Sequence, residues 1–237
     1  MAKPLSIVSH YYNHPQMVEN QVAYWDSLPA NLLEKIEFIL IDDCSEDRPK
    51  IAFERADIKL FRVISDIAWN QSGCRNLGSF VATSEWALFA DIDQRFVPWP
   101  IDNLIQNLPL LNKSLMYHMK IKELINILSG NSLEFAPSTF LVHLPTYKVL
   151  GRYDEDFAGH YGYEDLYAQR VWECNGGKRT LLNNTVYFED LGFGTTTLDR
   201  DISRNDILSQ QKLIDGCNNA PTILRFEWEQ VDIGRSN

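Results

Sequence analysis

Three short acidic groups in the chain each adjoin a segment rich in apolar residues. The groups are Asp42-Asp43 after the apolar run at 36–41, Asp91-Ile92-Asp93 after the run at 86–90, and Glu164-Asp165 in the amphipathic segment 163–175. A carboxylate can ligate a hard divalent cation, accept hydrogen bonds from a ligand, or act as a general base. The chain therefore has side chains suited to metal binding and proton transfer, provided that the fold brings the groups together.

The Asp91-Ile92-Asp93 triplet is the most specific of these signals. In extended backbone the side chain of Ile92 points away from its neighbours, so the carboxylates of Asp91 and Asp93 face the same side. Two such carboxylates can share Mg²⁺ or Mn²⁺, and the metal would bridge a diphosphate and neutralise its charge. The alternative is a surface turn, since the pattern is common. The apolar run before Asp91 favours the metal site, because a surface turn needs no buried strand to aim it.

Two more carboxylates and an arginine have the chemistry of a nucleotide site. One of Asp42 and Asp43 can accept a hydrogen bond from a nucleobase N–H or a ribose hydroxyl while the other caps the next segment. The alternative is a simple cap before a polar loop. Arg75, in the segment 69–78, can reach a carboxylate or a phosphate. Its alternative is an ion pair with Asp42 or Asp91, which would keep it in the architecture of the site.

The pair Glu164-Asp165 lies at the start of a predicted helix. Because a helix N-terminus stabilises an anion, Asp165 suits a general base, and Gly159 and Gly162 leave space for a second substrate. The alternative is that both residues are ordinary first-turn acids, which are favoured on any helix.

Apolar runs of strand length alternate with amphipathic segments through the first half of the chain. Strands are predicted at 5–9, 36–41, 58–63, 86–90, 114–120 and 136–143, and helices at 16–28, 72–83, 101–108, 163–175 and 202–214. Continuous apolar strands between helices indicate a mainly parallel central sheet that is covered on both faces. Ligands bind such α/β sheets at the carboxyl ends of the strands, which is where the acidic groups are expected.

Composition limits the classes of protein that fit. A chain of 237 residues, of which 45% are hydrophobic, fits a single domain spanning 1–237. A formal net charge of −10 disfavours nucleic acid as a partner, since that binding depends on neutralising phosphates. Four cysteines without metal-ligand spacing indicate reduced thiols. The chain has no leader-like segment and no stretch of about 20 apolar residues, so we expect a cytoplasmic protein without a membrane span.

Five motifs occur in a fixed order and together resemble the family 2 glycosyltransferases of GT-A fold. They are Ile-Val-Ser-His-Tyr-Tyr-Asn at 7–13, Ile-Asp-Asp-Cys-Ser at 41–45, Arg-Asn-Leu-Gly at 75–78, Asp-Ile-Asp at 91–93 and Tyr-Glu-Asp at 163–165. The resemblance covers about four-fifths of the chain, and the ordered set is more specific than any one motif. It implies a Rossmann-like GT-A domain in which 1–95 binds the nucleotide and 96–237 binds the acceptor.

The resemblance also implies an activity and a role for each site residue. The activity is transfer of a sugar from a nucleotide-sugar, such as a UDP-sugar, to a hydroxyl acceptor such as a glycan, with inversion and a divalent metal; retention stays open. Nucleobase and ribose would be held by Ser9, Tyr11 and Asp42 or Asp43, and Arg75 would lie in the donor pocket. Asp91 and Asp93 would bind the donor's metal, Mn²⁺ or Mg²⁺, Glu164 would orient the acceptor, and Asp165 would be the catalytic base.

The sequence departs from the family pattern in two places. Many relatives complete the metal shell with a late histidine, but none follows His160. Either Glu189 or Asp190 replaces it, or water and the diphosphate complete the shell. The Q-x-x-R-W sequence is also missing, which argues against a processive polysaccharide synthase. The loop 191–200, with Gly192 and Gly194, is either a flap over the donor or an inert surface loop.

Two other functions compete with this interpretation. A nucleotidyltransferase would need a glycine-rich basic loop after the first strand to hold a triphosphate, and residues 9–15 do not form one. A non-catalytic module that binds nucleotide-sugar or glycan would not need the acids Asp91, Asp93 and Asp165. Both remain alternatives to a glycosyltransferase.

Overall fold

The structure is a computed structural model that describes residues 2–121, 136–182, 187–190, 199–218 and 222–234. The strands are β1 (Leu5–Tyr11), β2 (Ile36–Asp42), β3 (Ile58–Val63), β4 (Trp86–Phe89), β5 (Gln94–Phe96), β6 (Leu115–His118), β7 (Lys120–Ile121), β8 (Phe140–His143), β9 (Lys178–Leu181), β10 (Tyr187–Asp190) and β11 (Trp228–Val231). The α-helices are α1 (Pro15–Asp26), α2 (Ala30–Leu33), α3 (Gln71–Val81), α4 (Pro98–Asn107), α5 (Leu144–Leu150), α6 (Glu164–Cys174) and α7 (Ser203–Ile214). Two 3₁₀ turns lie at Leu108–Leu110 and Glu155–Phe157.

One eight-stranded sheet forms the centre of the fold, in the order β11-β3-β2-β1-β4-β8-β6-β9. Strands β3, β2, β1 and β4 are parallel to one another, whereas β8 runs antiparallel to both β4 and β6. A smaller sheet, β5-β10-β7, lies apart from the central one. The predicted α/β class with a parallel, Rossmann-like first half is confirmed, and in the central sheet the strands that pair antiparallel with this half, β8 and β11, belong to the second half.

Side-chain alternation along the parallel strands divides the core into two layers. On β1, Leu5 and Ile7 belong to one apolar cluster and Val8 belongs to the other. Helices α1 and α4 pack on the first face, where Trp25 stacks on Phe38 with ring centroids 4.7 Å apart. Each such large side chain contributes about 1.5–3 kcal/mol when it is removed from water. Both faces of the parallel strands are therefore buried, as the continuous apolar runs predict.

Helix α3 packs closely on the other face of β1. A Cβ atom placed on Gly78 would lie 2.2 Å from Cγ1 of Val8, so a side chain at this position would push the helix off the strand. Leu77 is fully buried in the same layer, with Trp172 of α6. This close approach matters for function because Arg75 lies on the first turns of the same helix.

A buried carboxylate ties the amino-terminal edge of the sheet together. Glu37 of β2 is 1% exposed and accepts hydrogen bonds from Ser6 Oγ at 2.5 Å, Lys59 Nζ at 2.8 Å and the backbone N–H of Thr83 at 2.7 Å. Burial opposes the charge of Glu37, but these donors outweigh it and lower the pKa of Glu37 to about 2. The carboxylate is thus ionised and holds β1, β2, β3 and the end of α3 in register.

Most of the differences between the predicted and the observed elements lie in the second half of the chain. The predicted strand at 114–120 is divided between β6 in the central sheet and β7 in the small sheet, and the predicted strand at 136–143 is limited to β8. Strands β5, β9, β10 and β11 and helices α2 and α5 were not predicted. These elements are three to seven residues long, too short for apolar periodicity to identify. Within the described residues, no helix is long and apolar enough to cross a membrane.

Candidate active site

The carboxyl ends of the parallel strands bring two of the three acidic groups to one edge of the sheet. Tyr11 at the end of β1 is in register with Asp42 at the end of β2, and Val8 of β1 is in register with Phe89 of β4. Asp43 donates its backbone N–H to the carbonyl of Tyr11 at 2.9 Å, and Ala90 donates to the carbonyl of Val8 at 3.1 Å. The sheet edge expected to bind ligand therefore carries these groups.

Arg75 is the buried cation of this edge. Its Nη2 donates to Oδ1 of Asp91 at 2.5 Å, and its Nη1 donates to the carbonyls of Val8 and Ala90 at 3.4 and 3.3 Å. The guanidinium also lies 5.7 Å from the ring centroid of Phe89. Arg75 therefore joins the middle of β1 to the residue after β4 and orients Asp91, which is the ion-pair alternative expected from the sequence. Whether it also reaches the donor stays a prediction.

The backbone around Asp91 and Asp93 corrects one expectation. Ile92 and Asp93 lie in a turn rather than in extended backbone, and Gln94 N–H closes it on the carbonyl of Asp91 at 3.1 Å. Ile92 is buried. The alternation argument was therefore wrong for this segment, because the chain reverses direction here to begin β5. The turn, not the strand pleat, decides how the two carboxylates are presented.

Asp91 is held from both sides by protein donors. Its Oδ2 accepts from Ser138 Oγ at 2.6 Å and from Gln94 Nε2 at 3.2 Å, in addition to the Arg75 bond at Oδ1. Oxygen ligands of this kind suit a hard cation. Oδ1, with one donor, keeps a lone pair, whereas the two donors at Oδ2 occupy both of its lone pairs. Among the described residues, however, no group of three or more His, Cys, Asp or Glu side chains could hold a metal ion. Asp91 and Asp93 thus fit a metal only when a ligand supplies further oxygens.

Asp42 and Asp43 have different surroundings although they are neighbours in the chain. Asp42 is buried, forms an ion pair with Arg62 and accepts the backbone N–H of Ser45 at 2.8 Å. Asp42 is therefore the cap of the segment after β2. Asp43 accepts from Asn70 Nδ2 at 3.1 Å.

The carboxyl of Asp43 is the more suitable of the two for ligand binding. Burial raises the pKa of Asp43 to about 7, although hydrogen bonds from Asn70 and the Cys74 thiol act in the opposite direction. Ser9 and Tyr11, the other residues assigned to the nucleobase and ribose, are both buried on β1. The hydroxyl of Tyr11 is hydrogen-bonded to Asp42, and burial and Asp42 together raise its pKa.

Asp165 of α6 is oriented by two side chains from other elements. Tyr153 Oη donates to its Oδ1 at 2.5 Å, and Gln71 Nε2 of α3 is 2.9 Å from both carboxylate oxygens. Burial is the largest cause of a raised pKa for Asp165, the negative charge of Asp91 adds to it, and the Tyr153 and Arg75 groups oppose it. The carboxylate therefore has a defined orientation and more basicity than a solvated one.

Glu164 is an acid whose environment favours the protonated form. Burial, followed by the charges of Asp165 and Asp91, raises the pKa of Glu164 to about 8. Its Oε2 is buried and has no hydrogen-bond partner in the described part of the chain. Asp91, Glu164 and Asp165 thus influence one another electrostatically, so the fold brings together the second and third acidic groups.

The loop before α6 has an unusual backbone and one dedicated brace. Gly159, Gly162 and Tyr163 have φ values of 94°, 89° and 69°, which the two glycines adopt readily and the tyrosine does not. The fully buried Nδ2 of Asn205, on α7, donates to the carbonyls of Phe157, His160 and Gly162 at 3.0, 2.9 and 2.9 Å. Helix α7 therefore fixes the loop that leads into Glu164.

Sequence reasoning missed the residues that support the acids. These are His10, Arg62, Gln71, Gln94, Ser138, Tyr153 and Asn205. His10 lies beside Arg75 and Asp91 with its Nδ1 buried and unbonded within the described residues, and burial lowers the pKa of His10 to about 3, so its ring is neutral. Two of them had a local signal, since Gln71 opens the helix that contains Arg75 and His10 lies in the motif at 7–13.

Two expectations concern parts of the chain that the structure does not describe. The side chains of Glu189 and Asp190, proposed as substitute metal ligands, and residues 191–198 of the proposed flap lie outside the described residues. They stay predictions.

Two curated relatives share part of the sequence. The amylovoran biosynthesis glycosyltransferase AmsB of Erwinia amylovora is 31% identical over 113 residues, which are 46% of this chain and 36% of that protein. An uncharacterized glycosyltransferase of Haemophilus influenzae is 26% identical over 123 residues, 52% of this chain and 40% of that protein. The matches therefore span well under half of each relative's length. No protein-family model matches the chain.

Solved structures share the fold over most of the chain. S. aureus TarS 1–349 in complex with UDP-GlcNAc is 15% identical with a TM-score of 0.64, covering 90% of this chain and 65% of that one. GalNAc-T7 with UDP, GalNAc and Mn²⁺ is 16% identical with a TM-score of 0.60, covering 80% and 44%. Sequence identities this low establish a similarity of fold alone. The chain therefore has a GT-A fold and, in part of its sequence, resembles glycosyltransferases, as its motifs indicate.

Proposed function

We propose that this chain is a glycosyltransferase domain that transfers a sugar from a nucleotide-sugar, specifically a UDP-sugar, to a hydroxyl acceptor such as a glycan. The observation that carries the proposal is the meeting of Asp91 with the Glu164-Asp165 pair beside the carboxyl ends of β1 and β4, in a GT-A fold. Support for the donor comes from TarS and GalNAc-T7, which share the fold and hold UDP-GlcNAc and UDP, respectively.

The nucleotide would bind to the half of the domain formed by 1–95. Asp43 is the candidate for the base or the ribose, because its carboxyl keeps acceptor capacity while Asp42 is occupied by Arg62 and Ser45. Asp91 and Asp93 would hold Mn²⁺ or Mg²⁺, and a bound metal neutralises charge on the diphosphate leaving group. Arg75 would act through Asp91, whose orientation it sets from inside the core.

The acceptor would bind to the half formed by 96–237, with the acid pair between the two halves. Asp165 Oδ1 accepts from both Tyr153 and Gln71, while for Oδ2 the described residues supply the Gln71 bond. Oδ2 therefore has a lone pair available to take the proton of an acceptor hydroxyl. Removing that proton raises the nucleophilicity of the oxygen as it attacks the anomeric carbon from the side opposite the diphosphate, which gives inversion.

Glu164 would position the acceptor rather than accept its proton. With its pKa raised to about 8, its carboxyl is protonated at neutral pH and can donate a hydrogen bond to an acceptor or sugar hydroxyl. The two neighbouring acids would thus divide the roles of base and donor, because Asp165 ionises first and its charge keeps Glu164 protonated.

A donor-hydrolysis assay tests the proposal without knowledge of the acceptor. The protein is incubated with UDP-GlcNAc, UDP-glucose and UDP-galactose in Mn²⁺ or EDTA, and release of UDP is measured. We expect slow hydrolysis of one donor that requires Mn²⁺ and falls in Asp165→Asn. Donor binding by calorimetry without hydrolysis would favour the non-catalytic alternative, and neither binding nor hydrolysis with any nucleotide-sugar would refute the proposal.

A further inference from the structure

Two cysteines that are 43 positions apart in the sequence lie together in the fold. Cys174 is the last residue of α6, and Cys217 follows the end of α7 by three residues. Cys217 belongs to a small apolar cluster with Tyr167 and Val171 of α6, and Val171 lies one turn before Cys174 on the same helix. Cys217 therefore packs on the helix whose last residue is Cys174. Burial, with the Cys174 thiol adding to it, raises the pKa of the Cys217 thiol to about 12. The sequence indicated only four scattered cysteines.

The environments of the two thiols differ in a way that suits sequential chemistry. Cys174 is exposed, whereas Cys217 is only 5% exposed and lies behind it in the cluster. A hydrogen bond from Tyr167 Oη to the carbonyl of Asn218, at 3.1 Å, holds the segment of Cys217 against α6. A reagent in solution therefore meets Cys174 first, and Cys217 is placed to react with whatever forms there.

We propose that Cys174 and Cys217 form a redox modification site, at which a low-molecular-weight disulfide of the glutathione class converts the two thiols into an intramolecular disulfide. The thiolate of Cys174 attacks one sulfur of the small disulfide and releases one small thiol, which leaves a mixed disulfide on Cys174. The thiolate of Cys217 then attacks the sulfur of Cys174 and releases the second small thiol. Two protein thiols are oxidised and one small disulfide is reduced to two thiols, which take up the two protons.

The crosslink would join two helices that support the candidate site. Helix α6 begins with Glu164 and Asp165, and α7 carries Asn205, which braces the preceding loop. A disulfide across these helices closes a long loop and so restricts the unfolded chain, which stabilises the native state. The inference does not depend on the proposed function, because it concerns the thiols and the helices alone.

The other two cysteines provide internal controls. Cys74 is fully buried on α3 and its thiol is hydrogen-bonded to Asp43, so a reagent does not reach it in the native state. Cys44 lies after β2, and its thiol donates to the carbonyl of Ile64 at 3.2 Å. Cys44 can form a mixed disulfide, but we expect no crosslink from it to Cys174 or Cys217, which lie at the ends of α6 and α7.

The test treats the native protein with oxidised glutathione at mildly alkaline pH, blocks remaining thiols and maps the peptides by mass spectrometry. We expect a Cys174–Cys217 linked peptide in the parent and in the matched control Cys44→Ser, and its loss in Cys174→Ser and Cys217→Ser. Cys174→Ser changes an exposed residue and is expected to fold, so it decides the result if Cys217→Ser does not.

Thermal unfolding provides a second measurement on the same samples. The oxidised parent is expected to melt several degrees above the reduced protein, and added reductant is expected to reverse the shift, while Cys174→Ser shows neither change. The proposal is overturned if the native parent yields only mixed disulfides with glutathione, or if the linked peptide forms only after denaturation.

Discussion

Arg75 and Asp91 form an ion pair of 2.5 Å in which the arginine side chain is completely buried and the aspartate side chain is 30% exposed. The pair therefore has one partner inside the core and one at the surface of the candidate site. Because the guanidinium also bonds the carbonyls of Val8 in β1 and of Ala90 after β4, Asp91 is both a candidate metal ligand and the counter-ion of a core arginine. This double role separates Asp91 from Asp93, two residues later.

Asp91→Asn is expected to destabilise the protein, whereas Asp93→Asn is expected to have little effect on stability. Removing one member of a buried ion pair leaves the charge of the other member uncompensated. Because Asp91 is partly exposed, we expect a loss of stability near the lower limit for a broken buried pair, at about 3 kcal/mol. For Asp93, which is half-buried in the turn, we expect less than about 1 kcal/mol. Urea unfolding of both variants measures the difference. Equal losses would mean that Arg75 does not depend on Asp91.

The same two variants separate ligand binding from folding. Under conditions in which Asp93→Asn is fully folded, its affinity for a UDP-sugar in Mn²⁺ is expected to fall, and EDTA is expected to reduce the affinity of the parent to a similar level. Calorimetric titration with and without EDTA measures both effects. Unchanged affinity of the parent in EDTA would refute metal-dependent donor binding.

Asp165→Asn is expected to lose turnover while it keeps donor affinity. Asparagine can still accept the hydrogen bonds of Tyr153 and Gln71 on its oxygen, but it cannot accept a proton, and loss of a general base typically costs 10²–10⁴-fold in rate. The measurements are the rate of sugar transfer, or of donor hydrolysis, and a calorimetric affinity for the donor. A rate within a few-fold of the parent would leave Glu164 as the base.

The rate of transfer is expected to depend on pH through both acids of the pair. Activity should rise with pH as Asp165 ionises, and should fall above about pH 8 as Glu164 loses its proton and its capacity to donate a hydrogen bond. Glu164→Gln keeps a donor that does not titrate, so it should retain activity at neutral pH and lack the alkaline fall. An alkaline limb identical to that of the parent would contradict a donating role for Glu164.

Glu37 provides a prediction about stability that is independent of the site. The pKa of Glu37 is lowered from an ordinary value of 4.5 to about 2 in the folded state. Its contribution to the free energy of unfolding is therefore complete above pH 4.5 and is lost as the pH falls from 4.5 toward 2. Glu37→Gln is expected to be less stable by about 2 kcal/mol at neutral pH, because hydrogen bonds to a charged group are weakened. The difference from the parent, measured by urea unfolding, should shrink toward pH 2. A difference that is constant with pH would assign the effect to packing.

Asn205→Ala tests the brace of the loop before α6. The substitution leaves three loop carbonyls without their donor and is expected to cost about 1–3 kcal/mol, whereas Asn103→Ala, at an exposed position of α4, should be within about 0.5 kcal/mol of the parent. Transfer to an acceptor should decrease more than affinity for the donor, because the loop leads into Glu164. A parallel decrease in both would indicate a general loss of folding instead.

The amino-acid sequence by itself determined the parallel half of the fold and the position of two acidic groups. Runs such as Phe38 to Ile41 are apolar without interruption, and only strands buried on both faces require that pattern. Once those strands are parallel, their carboxyl ends share one edge, and Asp43 and Asp91 must lie there. These inferences depend on local periodicity and on general rules of topology, which is why sequence alone was sufficient.

Tertiary structure decided which polar groups meet. The sequence allowed Arg75 to contact Asp42, Asp91 or a phosphate, and packing of α3 on β1 placed it against Asp91, while Arg62 took Asp42. Because Ile92 and Asp93 lie in a turn, the side chains of this segment do not follow the alternation of extended backbone.

Tertiary structure also decided which residues that are distant in sequence come together. Asp165 accepts a hydrogen bond from Gln71, which is 94 positions away, and Cys217 packs on the helix that ends in Cys174. A polar side chain gains its hydrogen bond or ion pair only within about 3 Å of its partner, a distance that folded geometry sets and that sequence spacing does not. Apolar burial depends on the average environment of a segment, whereas each of these pairs depends on the positions of individual atoms.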